Sequence, residues 1–334
     1  MTLIIARSSL RYALMVTDRR LTVTTTSAVF DPVANKNVIL GSKNAVVAIG
    51  YTGMAYIDSL PTDQWIAQVL TGLTFPEGRR GRGTVPVLMT THYENNYLGV
   101  SIQNLRDRFN ELGSSISRKY RHNWITMPFD LIITGFEWNH GKIRPYLRGL
   151  SKPRNDSKFE LSGFSRHWYV PQRMEFPTYM LSAPDENLKQ QELERINKEL
   201  RKPNTWHQIA NDAEKIISQT IQNVSAKLNE VGPDTLSILI SNPREPNPVI
   251  RIRYIPIMHS KGILLNGKTQ KEVPIAFSPW VVSPSCIRSP TIFTSGQMES
   301  KLGPYSVIIE GPSSEAIPQV VSSQKRPNFS KNNG

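Results

Sequence analysis

Thr2 stands directly after the initiator Met1, and a methionine before so small a residue is commonly removed. Removal leaves one residue carrying both a hydroxyl and a free α-amine. That pairing supplies a nucleophile with its own base, because an α-amine has a reference pKa of about 7.7 to 8.0 and can take the hydroxyl proton near neutral pH. Three further features lie close behind it: the run Thr17-Asp18-Arg19-Arg20-Leu21-Thr22, a lysine at Lys36, and Ala48-Ile49-Gly50-Tyr51-Thr52-Gly53. A carboxylate, an ammonium and a glycine-containing stretch after an N-terminal hydroxyl are the parts of an N-terminal nucleophile. Each also has a plainer reading. Asp18 and Lys36 could form an ordinary surface pair worth about 0 to 1 kcal/mol, and Gly50 to Gly53 could be a turn.

The residue types and their joint spacing resemble the proteasome β-subunit family of N-terminal nucleophile hydrolases. Sixteen positions separate Thr2 from Asp18, and fourteen separate Lys36 from Gly50, both as in that family. Between the two pairs this chain is longer by two residues, within Val23 to Asn35, a change that a loop tolerates. The resemblance implies roles for each residue. Thr2 is the nucleophile, Lys36 favours its alkoxide, Asp18 holds the ammonium by a charge-assisted hydrogen bond, and the Gly50 N–H binds the oxyanion, a contribution of about 3 to 4 kcal/mol. Arg20, Leu21 and Thr22 are carried over as substrate-binding residues, Thr22 pairing with the substrate main chain. Leu21, Ala48 and Thr52 would line a primary side-chain pocket for a medium, mostly apolar group.

Later positions of the family pattern match less well. Ser182, in Tyr179-Met180-Leu181-Ser182-Ala183-Pro184, is the counterpart of an orienting serine, or else it caps a following helix. The acid and serine that the family places just before a late strand are replaced here by Ala226 and Asn229. Their loss points to a slow enzyme, to use of Asn229 or Ser225 instead, or to an inactive one.

Elements that position these residues follow from periodicity. Arg11 to Val16 and Asn44 to Ile49 read as buried strands, and Met54 to Gly72 as a helix interrupted near Pro61. Ile102, Leu105, Phe109, Leu112 and Ile116 recur at three and four, which makes Val100 to Arg121 a helix with one buried face. A hairpin runs from Phe129 to Phe136, through Asn139-His140-Gly141, to Lys142 to Leu147. A helix over Thr205 to Lys227 leads to strands at Thr235 to Ile240 and Val249 to Tyr254. The expected class is α+β, and the resemblance implies a four-layer αββα sandwich over residues 2–256. Residues 257–312 read as a β-rich C-terminal extension, with strands at Val273 to Val282 and Tyr305 to Glu310, and 313–334 as a disordered tail.

Composition narrows the function classes. The 334 residues can bury a substantial core, no apolar run reaches the roughly 18 residues of a membrane span, and no signal peptide opens the chain. The expected location is cytoplasmic. A single Cys286 forms no internal disulfide, and the six histidines lack metal-ligand spacing, so neither cofactor nor metal is implied. The formal charge is +13, with Gly78-Arg79-Arg80-Gly81-Arg82-Gly83 as its densest run. Such a loop could touch nucleic-acid phosphates, but no nucleic-acid motif accompanies it, and a solvated insertion or a partner-docking loop fits it better. Insertions at Leu73 to Tyr97, Gly149 to Pro177 and Asp185 to Lys202 separate the chain from a compact family member. The first carries the Arg-Gly run, the second Phe164, Trp168 and Tyr169, and the third reads as a surface helix. A homo-oligomer acting on a peptide or small amide is the expectation; a silent scaffold or assembly protein is the alternative.

Overall fold

The computed structural model describes residues 3–22, 29–31, 34–57, 60–75, 88–89, 97–115, 118–126, 129–152, 160–162, 178–182, 206–229, 231–255, 261–266, 269–274, 276–284, 286–290, 292–293 and 297–311. The Arg-Gly run, the aromatics of the second insertion, the helix expected at 185–202 and the C-terminal tail lie outside them, as does Thr2.

The chain opens with β1 (Ile4–Ser8) and β2 (Tyr12–Asp18), every residue of which is buried. Short β3 (Leu21–Thr22) and β4 (Val29–Asp31) pair with each other. Next come β5 (Asn37–Ser42) and β6 (Ala45–Thr52), a hairpin closed through Lys43 and Asn44. A small hairpin of β7 (Tyr56–Ile57) and β8 (Leu60–Pro61) precedes α1 (Thr62–Thr71). The helix expected from Met54 therefore begins only after Pro61, whose fixed φ and missing N–H suit a helix start and not its interior. After β9 (Leu88–Met89) come α2 (Leu98–Ser115) and α3 (Arg118–Thr126), which divide the single helix expected there. The long hairpin is β10 (Phe129–Asn139) and β11 (Lys142–Lys152), followed by β12 (Glu160–Ser162) and β13 (Thr178–Ser182).

Helix α4 (Trp206–Ser225) leads into β14 (Thr235–Ser241) and β15 (Val249–Ile255). Beyond lie β16 (Lys261–Asn266), β17 (Thr269–Pro274), β18 (Ala276–Phe277), β19 (Trp280–Val282) and β20 (Ile287–Arg288). The strand expected over Val273 to Val282 is thus in pieces, with Pro274 as the last residue of β17 and Pro279 in the gap before β19, positions where no ladder N–H is needed. Last are β21 (Ile292–Phe293), β22 (Gln297–Leu302) and β23 (Tyr305–Glu310).

Among the described residues the fold is a mixture of α and β with two large sheets. One has seven strands in the order β13-β1-β2-β14-β15-β23-β22; the other has eight, β12-β11-β10-β6-β5-β19-β20-β9. Ile4, Ala6 and Met15 from the first sheet share one buried cluster with Ile39, Ala48 and Ile132 from the second. On the first sheet Leu14 and Leu239 meet Ala210, Ala213, Ile217 and Ile221 of α4, which recur at the helical period. On the second, Val47, Ile49 and Leu131 meet Ile66, Leu70, Leu105 and Phe109 of α1 and α2.

C-terminal strands enter both sheets. β19 runs parallel to β5, with Trp280 opposite Val38 and stacked on Phe75 at 4.8 Å, and β23 runs parallel to β15. No described helix is long and apolar enough to cross a membrane.

Candidate functional site

Asp18 closes β2 and is fully buried. Its Oδ1 accepts the Leu3 N–H at 2.7 Å, and its Oδ2 accepts from Lys36 Nζ at 3.0 Å, the Gly232 N–H at 3.0 Å and the Arg20 N–H at 3.1 Å. Four donors meet a carboxylate that offers about four lone-pair sites. Asp18 is therefore built as an anchor, with three of those donors gathered on Oδ2. Its own N–H donates to the Leu3 carbonyl at 3.1 Å, so both polar groups of the Leu3 backbone are tied to Asp18. The residue before Leu3 is Thr2.

Lys36 lies just before β5 with 1% of its surface exposed. Besides Asp18, its ammonium donates to the Arg20 carbonyl at 2.5 Å. The plain surface-pair reading is corrected by this burial. Removing one partner from a buried pair leaves the other charge uncompensated, a loss of about 3 to 5 kcal/mol.

The wall on the other side comes from the turn before β14. Arg20 Nη1 donates to the Asn229 carbonyl at 3.0 Å, to Asn229 Oδ1 at 3.2 Å and to the Val231 carbonyl at 3.3 Å. A Cβ on Gly232 would meet Arg20 Cβ at 2.5 Å, so only glycine lets its N–H approach Asp18 this closely. Nothing in the sequence around Gly232 pointed to this contact. Asn229, flagged as a departure, accepts from Arg20, while the Ser225 hydroxyl donates to the Gln222 carbonyl of its own helix at 2.7 Å. Arg19 is turned elsewhere, with its guanidinium 5.1 Å from the Tyr254 ring centre. Burial pushes the Tyr254 phenol well above its ordinary pKa, and the Arg19 charge only partly opposes this.

Asn37 was missed at the sequence level. It is fully buried, and its Nδ2 donates to Thr17 Oγ1 at 2.7 Å, joining β5 of one sheet to β2 of the other. An unbroken hydrophobic run after Lys36 would have packed equally well, so only the polar residue in that position signals the bridge.

The remaining expected residues divide. Leu21 is half-buried in β3, beside Thr22. Ala48 is fully buried in the cluster between the sheets, and its methyl has no solvent contact; Thr52, buried at the end of β6, is opposite Asp130. Ser182 ends β13 opposite Ile4, at the end of β1 that leads back toward Thr2. Gly50 departs from the oxyanion expectation. It is inside β6, between Asn37 of β5 and Ile132 of β10, and a Cβ there would meet Met15 Sδ at 2.8 Å, Ile4 Cδ1 at 3.1 Å and Asn37 Oδ1 at 3.3 Å. Close packing is what requires this glycine. Among the described residues, no group of three or more His, Cys, Asp or Glu could hold a metal ion.

No protein-family model matches the chain, and neither does any curated protein. Solved structures are similar to it, among them forms of Anbu. They include the Gly-1 mutant of Anbu from Hyphomicrobium sp. strain MC1, 11% identical with a TM-score of 0.45, covering 77% of this chain and 88% of that one. Anbu (ancestral beta-subunit) from Yersinia bercovieri is 9% identical with a TM-score of 0.42, covering 71% and 81%. A further Anbu structure from Hyphomicrobium sp. strain MC1 is 12% identical with a TM-score of 0.41, covering 72% and 82%. At these identities and TM-scores the likeness assigns neither a family nor an activity. Membership of the proteasome β-subunit family, read from the first residues, is accordingly withdrawn.

Proposed function

We propose that the protein is an N-terminal threonine hydrolase that cleaves an amide bond of a peptide or small amide. With Met1 removed, the Thr2 Oγ attacks the substrate carbonyl carbon while the α-amine of Thr2 takes the hydroxyl proton. Collapse of the tetrahedral intermediate breaks the C–N bond, the ammonium returns a proton to the leaving amine, and an ester on Thr2 remains. Water, deprotonated by the same α-amine, then attacks the ester carbonyl. The products are a carboxylic acid and the regenerated threonine.

The supporting observation is the Asp18 carboxylate, which bonds the N–H of the residue after Thr2 with one oxygen and the Lys36 ammonium with the other. One buried group thereby links the backbone beside the nucleophile to a cation. Lys36 supplies positive charge for the developing alkoxide, and Asp18 keeps that charge from moving away.

The reading extends to architecture. The two sheets and their helices stack as four layers, αββα; residues 2–256 form the hydrolase unit, and strands from 257–312 extend both of its sheets. Copies of the chain assemble into a homo-oligomer. A silent scaffold is the second reading, favoured by Ala226 and by the enclosed position of Gly50.

Turnover of fluorogenic peptides by protein with a native N-terminus separates the two. The hydrolase reading expects cleavage by the native chain and none by a folded Thr2→Ala variant. No cleavage by either would leave the scaffold reading standing, and equal cleavage by both would remove the role given to Thr2.

A further inference from the structure

We infer that Gly53, not Gly50, donates the backbone N–H that binds the oxyanion, an assignment that rests on the threonine-hydrolase reading. An oxyanion donor must be unpaired and must face the reacting carbonyl. In an antiparallel ladder the backbone groups of successive residues point to alternate neighbours. The Tyr51 N–H donates to the Lys36 carbonyl at 3.2 Å, so the odd-numbered residues of β6 face β5 and Gly50 faces β10. The other side of β6 agrees, since the Trp138 N–H donates to the Asn44 carbonyl at 2.7 Å, and Ile132 opposite Gly50 is in the same phase of that ladder. The Gly50 N–H is therefore committed to the sheet.

Gly53 is the next residue that faces the β5 side after Tyr51. It is one ladder step beyond Lys36, and β5 begins only at Asn37, so no strand remains to receive its N–H. That N–H has no hydrogen-bond partner among the described residues. Gly53 is half-buried and has φ of 101°, a backbone conformation that strongly favours glycine and turns the chain out of β6.

Its direction relative to the site follows from the bridges between the sheets. Asn37 meets Thr17, and Lys36 meets Asp18, so moving from Asn37 back to Lys36 moves toward the Asp18 end of β2. Because β6 is antiparallel to β5, moving from Gly50 through Tyr51 to Gly53 goes the same way. Gly50 lies over Ile4 and Met15, whereas Gly53 is displaced toward Asp18 and the Leu3 backbone that it holds.

The test deletes one N–H at a time. Glycolic acid incorporated in place of glycine at residue 53 turns the amide into an ester without adding a side chain; the same exchange at residue 50 is the comparison. With a fluorogenic peptide, the exchange at 53 is expected to lower kcat about 100- to 1,000-fold with little change in KM. The exchange at 50 is expected to weaken folding and leave kcat within a few-fold. Unchanged kcat at 53, or a kcat loss confined to a folded residue-50 ester, would overturn the assignment and leave the threonine chemistry intact. If the ester at 53 does not fold, the amide proton of Gly53 in the native chain decides: a large downfield shift on adding a peptide boronate is expected, and a shift at Gly50 alone overturns it. A native chain with no Thr2-dependent turnover and no boronate-induced shift removes the hydrolase reading and this assignment together.

Discussion

Two clusters of charge hold distant parts of the chain together, and they are built differently. At Asp18, three of the four donors are backbone N–H groups, from Leu3, Arg20 and Gly232, and the fourth is a lysine with almost no exposed surface. On the outer face of the first sheet, Glu214 of α4 receives Arg251 Nη2 at 3.0 Å and Arg253 Nη1 at 2.8 Å, while Arg253 Nε reaches Glu310 of β23 at 2.6 Å. Only long side chains make that second cluster, and the Arg253 and Glu310 side chains are each 34% exposed. Backbone donors are fixed by the strands that carry them, so the first cluster sets geometry. The second can be re-formed by rotating side chains, and serves to staple α4, β15 and β23.

Substitution should separate the two. Asp18→Ala removes the acceptor for four donors at once and leaves Lys36 buried without its anion; a loss of about 3 to 5 kcal/mol in urea unfolding is expected, together with loss of hydrolysis. A loss under about 1 kcal/mol would mean that the site is far more solvated than its burial implies. Lys36→Ala leaves Asp18 its three backbone donors, so the fold should survive in weakened form while hydrolysis falls by at least about 100-fold. Full activity in that variant removes the role given to the ammonium.

Smaller effects are expected at the outer cluster. Glu214→Ala should lower stability by about 1.5 to 3 kcal/mol, the range for hydrogen bonds to charged groups, because Glu214 is buried while its arginines reach water. The rate per folded molecule should not change, and a kinetic defect would show that the two clusters are coupled. Glu310→Gln should change stability by at most about 1 kcal/mol, and raising the salt should shrink that difference further. An effect of several kcal/mol would show that β23 depends on this contact more than its exposure allows.

Much of the secondary structure was readable because each segment shows a single period. The helix of α4 repeats apolar residues every three or four positions, and β14 carries Leu236, Ile238, Leu239 and Ile240 in a short stretch, so both were found within a few residues. Prolines explain some of the misses: Pro61 ends the small hairpin, and Pro279 lies between β18 and β19. Parallel pairing of β19 with β5 and of β23 with β15 left no trace in local pattern, since the partners are more than fifty residues apart. Within the site, Asp18 and Lys36 were legible from residue type and spacing. The ladder phase that commits the Gly50 N–H to β10 was not, because phase depends on register and not on composition. Gly232 and Asn37 were missed for a related reason, as each acts across a contact made only when β2 meets a distant segment.

The central claim, that Thr2 is a free N-terminal nucleophile, is tested most directly by intact mass. Protein with a native N-terminus is weighed before and after exposure to a peptide epoxyketone, which reacts with both the hydroxyl and the α-amine of an N-terminal threonine. The expected result is a mass lacking Met1 that rises by one inhibitor, with no rise in Thr2→Ala. A retained Met1 and an unchanged mass after treatment would contradict it.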